Sequence, residues 1–279
     1  MKTWKYYNHA LLPVTTPNEC PDLSELQDKD TWNYNGNKAL LARWTTNFDC
    51  GYETNWWYCI KDDSFNINSV KSKIRYYIKR GIANFDVKVI NACDYKVELY
   101  NVQVAAFSAY PESYRPTVNK ERFLNGISKW NENYIVFGAF ERENGMLQGY
   151  SLCHEHDCYV ELKVQKTNPT YEKLQINAAL VNEILEYYNG QLTKGFYLVD
   201  GERNIFHETA FQDYLERYFG FRKAYCNLHI KYRRGIGLII KILYPLRRLI
   251  ARLNFKKAKL ITGVLRMEEI SRKSRKYNE

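Results

Sequence analysis

The chain has 279 residues, of which 15% are aromatic and 26% are charged. This length supports one large or two modest domains with proper cores, and the composition excludes an intrinsically disordered protein. The seven cysteines are an odd number without a Cys-x-x-Cys pair, which argues against a disulfide framework and favours a reducing compartment. Residues 1–20 lack an apolar run of signal-peptide length, so we expect a cytoplasmic protein.

The net charge of +10 is unevenly distributed. Residues 231–279 hold 15 Lys or Arg and 3 Asp or Glu, whereas the other residues hold 26 and 28. A nearly neutral body therefore carries a basic tail, which differs from the overall basic footprint of a nucleic-acid-binding protein.

The first half of the chain reads as strands and helices in alternation. Gly81 is expected to end the first helix, which presents Lys71, Arg75 and Lys79 as a basic row that is most often a solvated face. The predicted elements are strands at Ala39–Trp44 and Trp56–Ile60, a helix at Asn68–Arg80, a strand at Phe85–Ile90, a helix at Asp94–Phe107 and a linker at Tyr110–Pro116.

The second half begins with three predicted strands and ends on the most regular pattern in the chain. Asp200-Gly201 is a turn pair after an apolar strand, and Gly220 is expected to end the next helix as a left-handed cap. The predicted elements are strands at Tyr134–Phe140, Leu147–Cys153 and Cys158–Val164, a helix carrying Ile176 to Tyr187, a strand at Phe196–Val199, a helix carrying Phe211 to Phe219 and a strand at Phe221–Ile230. The order β-β-β-α-β-α-β predicts an α+β fold, a mixed sheet with helices packed on it.

This order, with "WWYCIKD" and "SKIRYYIKRG" upstream, resembles the GNAT acyltransferase fold and more narrowly the FemAB-type transferases, over roughly residues 38–230. The resemblance implies two GNAT-like mixed sheets in tandem and transfer of an acyl or aminoacyl group to an amine, often on an amino sugar or a cell-wall peptide. We accordingly divide the chain into an N-terminal degenerate GNAT-like half (1–115), a C-terminal GNAT-like half (116–232) and a basic amphipathic tail (233–279).

The resemblance also implies a donor site at the turn between the fourth strand of the GNAT fold and the helix that follows it. GNAT enzymes use glycines in this turn to hold the pyrophosphate of CoA. Gln175 and Asn177 stand where those glycines are usual, and Glu172 adds a negative charge. These departures argue against CoA binding in the standard manner, so acyl-CoA is a candidate donor only. The candidate donor-binding residues are Lys173, Gln175, Asn177 and Arg203.

Acyl transfer to an amine needs a base and groups that stabilise the developing oxyanion. The loop after a strand end holds Asp200, Arg203, His207 and Glu208, in a place where open α/β sheets commonly bind ligands. His207 is the best candidate base among them because its pKa lies near neutrality. Glu161 and Glu202 are further candidate carboxylates, and Tyr218 is a candidate proton donor near the Gly-Phe pair, where Glu216 replaces the usual Tyr.

Each of these assignments has a simpler structural alternative. Glu208-Thr209 can cap the following helix, Arg203 can pair with a neighbouring acid, and the strand face of Glu161 can be an ordinary solvated face. Residues 153–158, Cys-His-Glu-His-Asp-Cys, contain metal-ligand types, but they fall where two strands turn and alternate side chains point to opposite sides. We therefore expect a surface hairpin there and no metal.

The segment Gly235–Leu253 is the second functional signal. It is largely apolar but interrupted by Pro245, and Arg234, Lys241, Arg248 and Arg252 lie along one helix edge. This pattern favours a kinked amphipathic helix in the headgroup region of an anionic membrane over a spanning helix. The alternative is a helix that docks on the body or on a second subunit.

Two hypotheses follow. The first is an acyl or aminoacyl transferase at the inner membrane face that modifies a lipid-linked or small-molecule sugar of the cell envelope or a surface glycan. The second is a catalytically degenerate scaffold of the same fold, tethered at the membrane. Nucleic-acid binding is the weakest hypothesis, with aminoacyl-tRNA kept open because a Fem-type donor would require it.

Overall fold

The structure is a computed structural model that describes residues 3–34, 36–112, 115–130, 132–192, 195–205, 210–253 and 255–276. Within these ranges it is an α+β protein of mixed sheets and packed helices, as predicted. The helices are α1 (Ser72–Asn84), α2 (Lys96–Ser108), α3 (Lys120–Ile127), α4 (Ile176–Leu192), α5 (Ala210–Phe219), α6 (Ile236–Leu243), α7 (Arg247–Ile250) and α8 (Lys256–Lys276). The strands are β1 (Trp4–Tyr7), β2 (Ala10–Pro13), β3 (Asn33–Tyr34), β4 (Asn37–Lys38), β5 (Leu41–Thr46), β6 (Trp56–Lys61), β7 (Phe85–Ile90), β8 (Tyr134–Glu141), β9 (Leu147–Glu155), β10 (Tyr159–Thr167), β11 (Tyr197–Glu202) and β12 (Arg222–Tyr232).

The chain forms two compact units. The first comprises Met1–Tyr58, Glu202–Thr209 and Lys223–Glu279, and the second comprises Cys59–Gly201 and Ala210–Arg222. Both units take residues from separate parts of the chain, whereas the three-part division of the sequence follows continuous segments and stays a prediction.

The first unit is built on β1, β2, β5 and β12, which neighbour each other in that order. β2 runs parallel to β5, and β5 runs antiparallel to β12, with His229 opposite Trp44. Helix α8 packs on this unit: Ile270 joins the apolar cluster of Trp56 and Leu228, and the Ser274 hydroxyl accepts a hydrogen bond from the Leu228 N–H at 3.1 Å.

The second unit is built on β11, β10, β9, β8 and β7 in that order. β10 and β11 are parallel, and the other neighbouring pairs are antiparallel. Helix α4 covers one face of the sheet, where Val160 and Leu198 are buried, while α2 covers the opposite face, where Tyr150 and Leu152 are buried. The order from β8 through β12 is the predicted β-β-β-α-β-α-β.

Two glycines show how local geometry fits this plan. Gly220 has φ +70°, so it ends α5 in the left-handed conformation, as predicted. The prediction that Gly81 ends its helix is wrong, because α1 continues to Asn84. Gly81 instead allows a close helix contact: a Cβ there would lie 2.5 Å from the Gln175 carbonyl oxygen and 3.0 Å from the Ala179 backbone nitrogen.

The basic tail divides into two parts. α6, a 3₁₀ turn at Tyr244–Leu246 and α7 form a helix interrupted at Pro245, as predicted, and α8 follows as a separate helix. None of the described helices combines the length and apolar character needed to cross a bilayer.

Candidate functional site

Asp200 lies near the C-terminal end of β11, where a Gly201 φ of +81° turns the backbone. The carboxyl group is half-buried, and this burial raises its pKa to about 7, although a hydrogen bond from Gln212 acts in the opposite direction. The buried Gln212 of α5 also donates its Nε2–H to the Asp200 carbonyl oxygen at 3.0 Å. A carboxyl group with this pKa can accept a proton from an amine and release it to solvent at neutral pH.

A group of tyrosines lies on α5, the helix that carries Gln212. The Tyr218 ring stacks on Tyr77 of α1 at 6.2 Å and packs on Tyr214 at 4.7 Å between centroids. The Tyr214 hydroxyl is buried and has no hydrogen-bond partner among the described residues. Burial raises the pKa of Tyr214, which keeps its proton on the hydroxyl. Tyr214 is therefore a candidate proton donor alongside the predicted Tyr218.

Glu202 lies in the first unit, and internal contacts engage both of its carboxylate oxygens. Oε1 accepts from Arg43 Nη2 at 2.5 Å, and Oε2 accepts from Trp56 Nε1 at 3.0 Å. A carboxylate held in this way stabilises its partners more readily than it accepts a proton from substrate. The catalytic role of Glu202 stays a prediction.

Arg203, the predicted donor-binding arginine, is also held by its neighbours in the first unit. Its Nη1 donates to the Asn55 carbonyl oxygen at 2.6 Å, and its guanidinium lies 4.5 Å from the Trp57 ring centroid. Burial and the nearby Arg266 lower the pKa of Arg203. The stacked arrangement presents a cation on an aromatic surface, which suits an anionic group on a ligand.

Glu161 does not share a face of the sheet with Asp200. Glu161 pairs with Val199 across the parallel strands, so it points away from the face that carries Leu198 and, two residues on, Asp200. Its carboxylate lies 2.7 Å from Lys163 Nζ and 3.8 Å from His156 Nε2. The structure therefore does not bring the two carboxylates together as an acid–base pair.

The predicted donor turn is a 3₁₀ helix, Pro169–Leu174, followed by α4. Gln175 has φ +67°, the left-handed conformation that favours glycine, and Asn177 accepts a hydrogen bond from Gln165 Nε2 at 2.8 Å. Lys173 is exposed on the turn. Lys173 thus lies in the 3₁₀ helix, Gln175 at its C-terminal end and Asn177 in the first turn of α4. The backbone of α1 packs closely on Gln175 through Gly81, and the donor-binding role of these residues stays a prediction.

His207, with Glu208 and Thr209, lies outside the described residues. Its role as a base stays a prediction. A shallow surface depression is found on α3, lined by residues such as Asn119 and Arg122, and it contains none of the predicted site residues.

All four predicted membrane-binding residues, Arg234, Lys241, Arg248 and Arg252, are exposed. The same segment also exposes large apolar side chains. By contrast, Ile240 of this segment is buried, with 7% of its surface exposed. These exposed apolar residues are Leu238, Ile239, Ile242, Leu246, Leu249, Leu253 and Phe255.

The opposite side of this segment is anchored to α8. The guanidinium groups of Arg247 and of Arg272 on α8 lie 4.3 Å and 3.8 Å from the centroid of the Tyr244 ring. Arg247 also lies 3.7 Å from Glu269. The segment is therefore held on one side and presents apolar and basic groups on the other.

Sequence reasoning only partly found two features of these sites. Asp200 was placed among the candidate residues after a strand end but was not chosen as the base, because its burial is a tertiary effect that a local pattern does not show. His154, His156 and Glu161 offer ligand atoms that all lie within 4.8 Å of one another. The metal-ligand residue types at positions 153–158 were noted in the sequence, but the spacing of two residues between the histidines was not used to place both on one face.

Comparisons with solved structures show related folds at low sequence identity. The C-terminal DUF2156 domain of a protein assigned as a lysylphosphatidylglycerol synthetase from Agrobacterium fabrum has a TM-score of 0.50 and 10% identity, covering 86% of this chain and 84% of that one. The structure of L-PGS from Bacillus licheniformis has a TM-score of 0.48 and 12% identity, covering 90% and 85%. A functionally unknown conserved protein from Staphylococcus epidermidis has a TM-score of 0.41 and 12% identity, covering 79% and 82%.

No protein-family model matches the sequence, and no curated protein matches it. The structural likenesses support the fold alone, and they do not distinguish the FemAB-type tandem arrangement from other GNAT-like proteins. The chain has a GNAT-like fold, as its sequence predicts.

Proposed function

We propose that this protein is an acyl or aminoacyl transferase that acts on an amine acceptor, with Asp200 as the general base. The observation that carries the proposal is the half-buried Asp200 carboxyl group, whose pKa is raised to about 7 at the end of β11. Perturbed carboxyl groups of this kind concentrate at functional sites. The GNAT-like fold is consistent with this chemistry.

The proposed reaction joins the amine nitrogen to the acyl carbonyl carbon and breaks the bond from that carbon to the leaving group. Asp200 accepts the proton that the amine loses, and a tyrosine of α5 donates a proton to the leaving group. Tyr214 suits the second role because burial raises its pKa and its hydroxyl has no partner among the described residues. Solvent then takes the proton from Asp200 at neutral pH and returns a proton to the tyrosine, which restores both groups.

For the acceptor, we propose an amino sugar in surface-glycan or cell-envelope biosynthesis, either free or linked to a lipid. The FemAB-type resemblance of residues 38–230 supports this class of acceptor. The name of the A. fabrum neighbour, lysylphosphatidylglycerol synthetase, denotes an aminoacyl group joined to a lipid. Acyl-CoA and aminoacyl-tRNA are both kept as candidate donors. The close packing of α1 on Gln175 departs from the open, glycine-lined turn that holds CoA in the standard manner, so acyl-CoA is not the sole candidate.

We also propose that the α6–α7 segment lies on an anionic membrane surface. The support is the coincidence of exposed apolar groups with exposed basic groups on one segment, as for Leu249 beside Arg248. Apolar side chains enter the acyl boundary while basic groups meet anionic headgroups, each basic group contributing about 1 kcal/mol. This placement would bring the enzyme to a lipid-linked acceptor.

The catalytic proposal is tested with the full chain, a panel of amino sugars, and acyl-CoA or aminoacyl-tRNA donors. Asp200→Asn should lower kcat by about 100-fold or more, because the amide cannot accept the proton. Asp213→Asn, on the exposed side of the same region of α5, is the matched control and should keep full activity. Full activity of Asp200→Asn would rule out the assigned base, and no transfer from either donor class would refute catalysis.

A membrane-tethered scaffold is the second candidate, favoured by the contact between Gly81 and the Gln175 carbonyl at the donor turn. It predicts that Asp200→Asn leaves the cellular phenotype unchanged while deletion of residues 235–253 abolishes it. The transferase proposal predicts that both changes abolish the phenotype. The phenotype of Asp200→Asn therefore distinguishes the two candidate functions.

A further inference from the structure

The hairpin of β9 and β10 brings two histidines and a glutamate to one place, on the opposite face of the sheet from Asp200. Glu161 is the cross-strand partner of His154, and His156 lies two residues further along the chain, just after β9 ends at Glu155. The turn is closed by a hydrogen bond from the His156 N–H to the Tyr159 carbonyl oxygen at 2.9 Å. The expectation of a hairpin is therefore correct, but side chains two residues apart share a face.

The three side chains converge closely enough to share one ion. Their ligand atoms all lie within 4.8 Å of one another, and the His156 Nε2 to Glu161 Oε2 distance is 3.8 Å. Zinc binds such ligand atoms at about 2.0–2.2 Å, so an ion bound here would draw the three side chains closer together. All three residues are partly buried, which limits competition from water.

Aromatic rings fix both imidazoles in this arrangement. The Tyr134 ring stacks on His154 at 4.2 Å, and the Tyr159 ring stacks on His156 at 4.2 Å. The two imidazoles lie 4.2 Å apart. A site whose ligands are already oriented loses less conformational freedom when an ion binds.

We propose that His154, His156 and Glu161 form a site for a divalent transition-metal ion of the zinc class. Two imidazoles and one carboxylate suit Zn²⁺, and three protein ligands leave at least one coordination position open. This inference departs from our expectation that the chain holds no metal, and it goes beyond the proposed transfer reaction because Asp200 lies on the other face of the sheet.

Lys163 provides the sharpest internal test of this site. Its ammonium group lies 2.7 Å from the Glu161 carboxylate, so it competes with a cation for the same oxygen. Removing the ammonium charge by Lys163→Gln should tighten metal binding. A purely structural ion pair predicts no gain in metal affinity from this change.

The experiment titrates the full chain, first treated with chelator, with Zn²⁺ and with Co²⁺ as a spectroscopic substitute. We expect one Zn²⁺ per chain, at least about 10-fold weaker affinity in His156→Gln and in Glu161→Gln, and roughly 3- to 10-fold tighter affinity in Lys163→Gln. His9→Gln, an exposed histidine elsewhere, is the control and should bind as the parent does.

Circular dichroism of each variant establishes that the hairpin variants remain folded. Unchanged zinc affinity in both His156→Gln and Glu161→Gln would overturn the proposal, as would weaker binding by Lys163→Gln. A thiolate charge-transfer band in the Co²⁺ spectrum would assign the metal to cysteines and would overturn it too. Because this readout is metal affinity, its failure is distinguishable from failure of the transfer reaction.

Discussion

Replacing Asp200 by Asn should make the protein more stable above neutral pH. The Asp200 pKa rises from 3.8 to about 7 on folding, so the folded chain binds this proton more tightly than the unfolded chain does. The stability associated with this carboxyl group is intact below the unfolded pKa and is lost as the pH rises through about 7. An amide of the same shape does not ionise and avoids that loss.

The size of the effect follows from the linkage relation. The rise of the Asp200 pKa from 3.8 to about 7 corresponds to a loss of stability of about 4 kcal/mol at most. The part of this loss that remains above about pH 5 is nearly complete by about pH 8.5. We therefore expect the advantage of Asp200→Asn over the parent to grow by about 2–3 kcal/mol between these two conditions. Urea unfolding of both proteins at each pH measures this difference.

Asp213→Asn is the matched control, because Asp213 is exposed and its replacement should not change the pH dependence. If the parent and Asp200→Asn differ by the same free energy at both pH values, the carboxyl group is not desolvated as described. That result would also remove the reason for assigning Asp200 as the general base.

Two further changes test the packing and the membrane surface. Gly81→Ala should lower the free energy of unfolding in urea by about 1–3 kcal/mol, because the new Cβ would meet the Gln175 carbonyl oxygen. Gly190→Ala, in a part of α4 with open space around it, is the control and should be neutral or slightly stabilising. Equal effects of the two would contradict the close contact. Leu249→Glu should weaken binding to vesicles of anionic phospholipid, measured by co-sedimentation, by about 10-fold or more. Raised salt should weaken the binding of the parent protein. Val97 is 51% exposed on α2, so Val97→Glu is the control and should bind as the parent does. Equal binding of the parent to neutral vesicles at high salt would exclude the electrostatic contribution.

The sequence predicts the strands of the second unit well because their apolar patterns are strong and local. The helix that carries Leu215 and Phe219 has a clear apolar stripe, and Gly220 ends it as expected. The prediction failed at Gly81, since the same residue type that ends helices also permits close helix packing. A single sequence does not reveal which of these two needs applies.

Elements that depend on distant partners were missed. β1 and β2 fall in a segment before Ala39 for which the sequence predicted no element, yet β2 pairs with β5. α8 was absorbed into a basic tail, although its Ser271 and Ser274 are buried. The predicted site residues were also only partly placed by the sequence. Glu161, Glu202 and Tyr218 lie in strands and a helix, but each contacts a different set of neighbours. The burial of Asp200 is visible only in the tertiary structure.

The interleaving of the two units has a consequence for synthesis on the ribosome. Residues 1–58 leave the ribosome before the residues that follow them, but β5 pairs with β12, whose strand begins at Arg222. The early segment must therefore remain without its permanent partner while the intervening residues are translated and begin to fold. We expect nascent chains released before β12 emerges to expose Leu41 and Ala42, both buried in the complete chain, and to be bound by chaperones during translation.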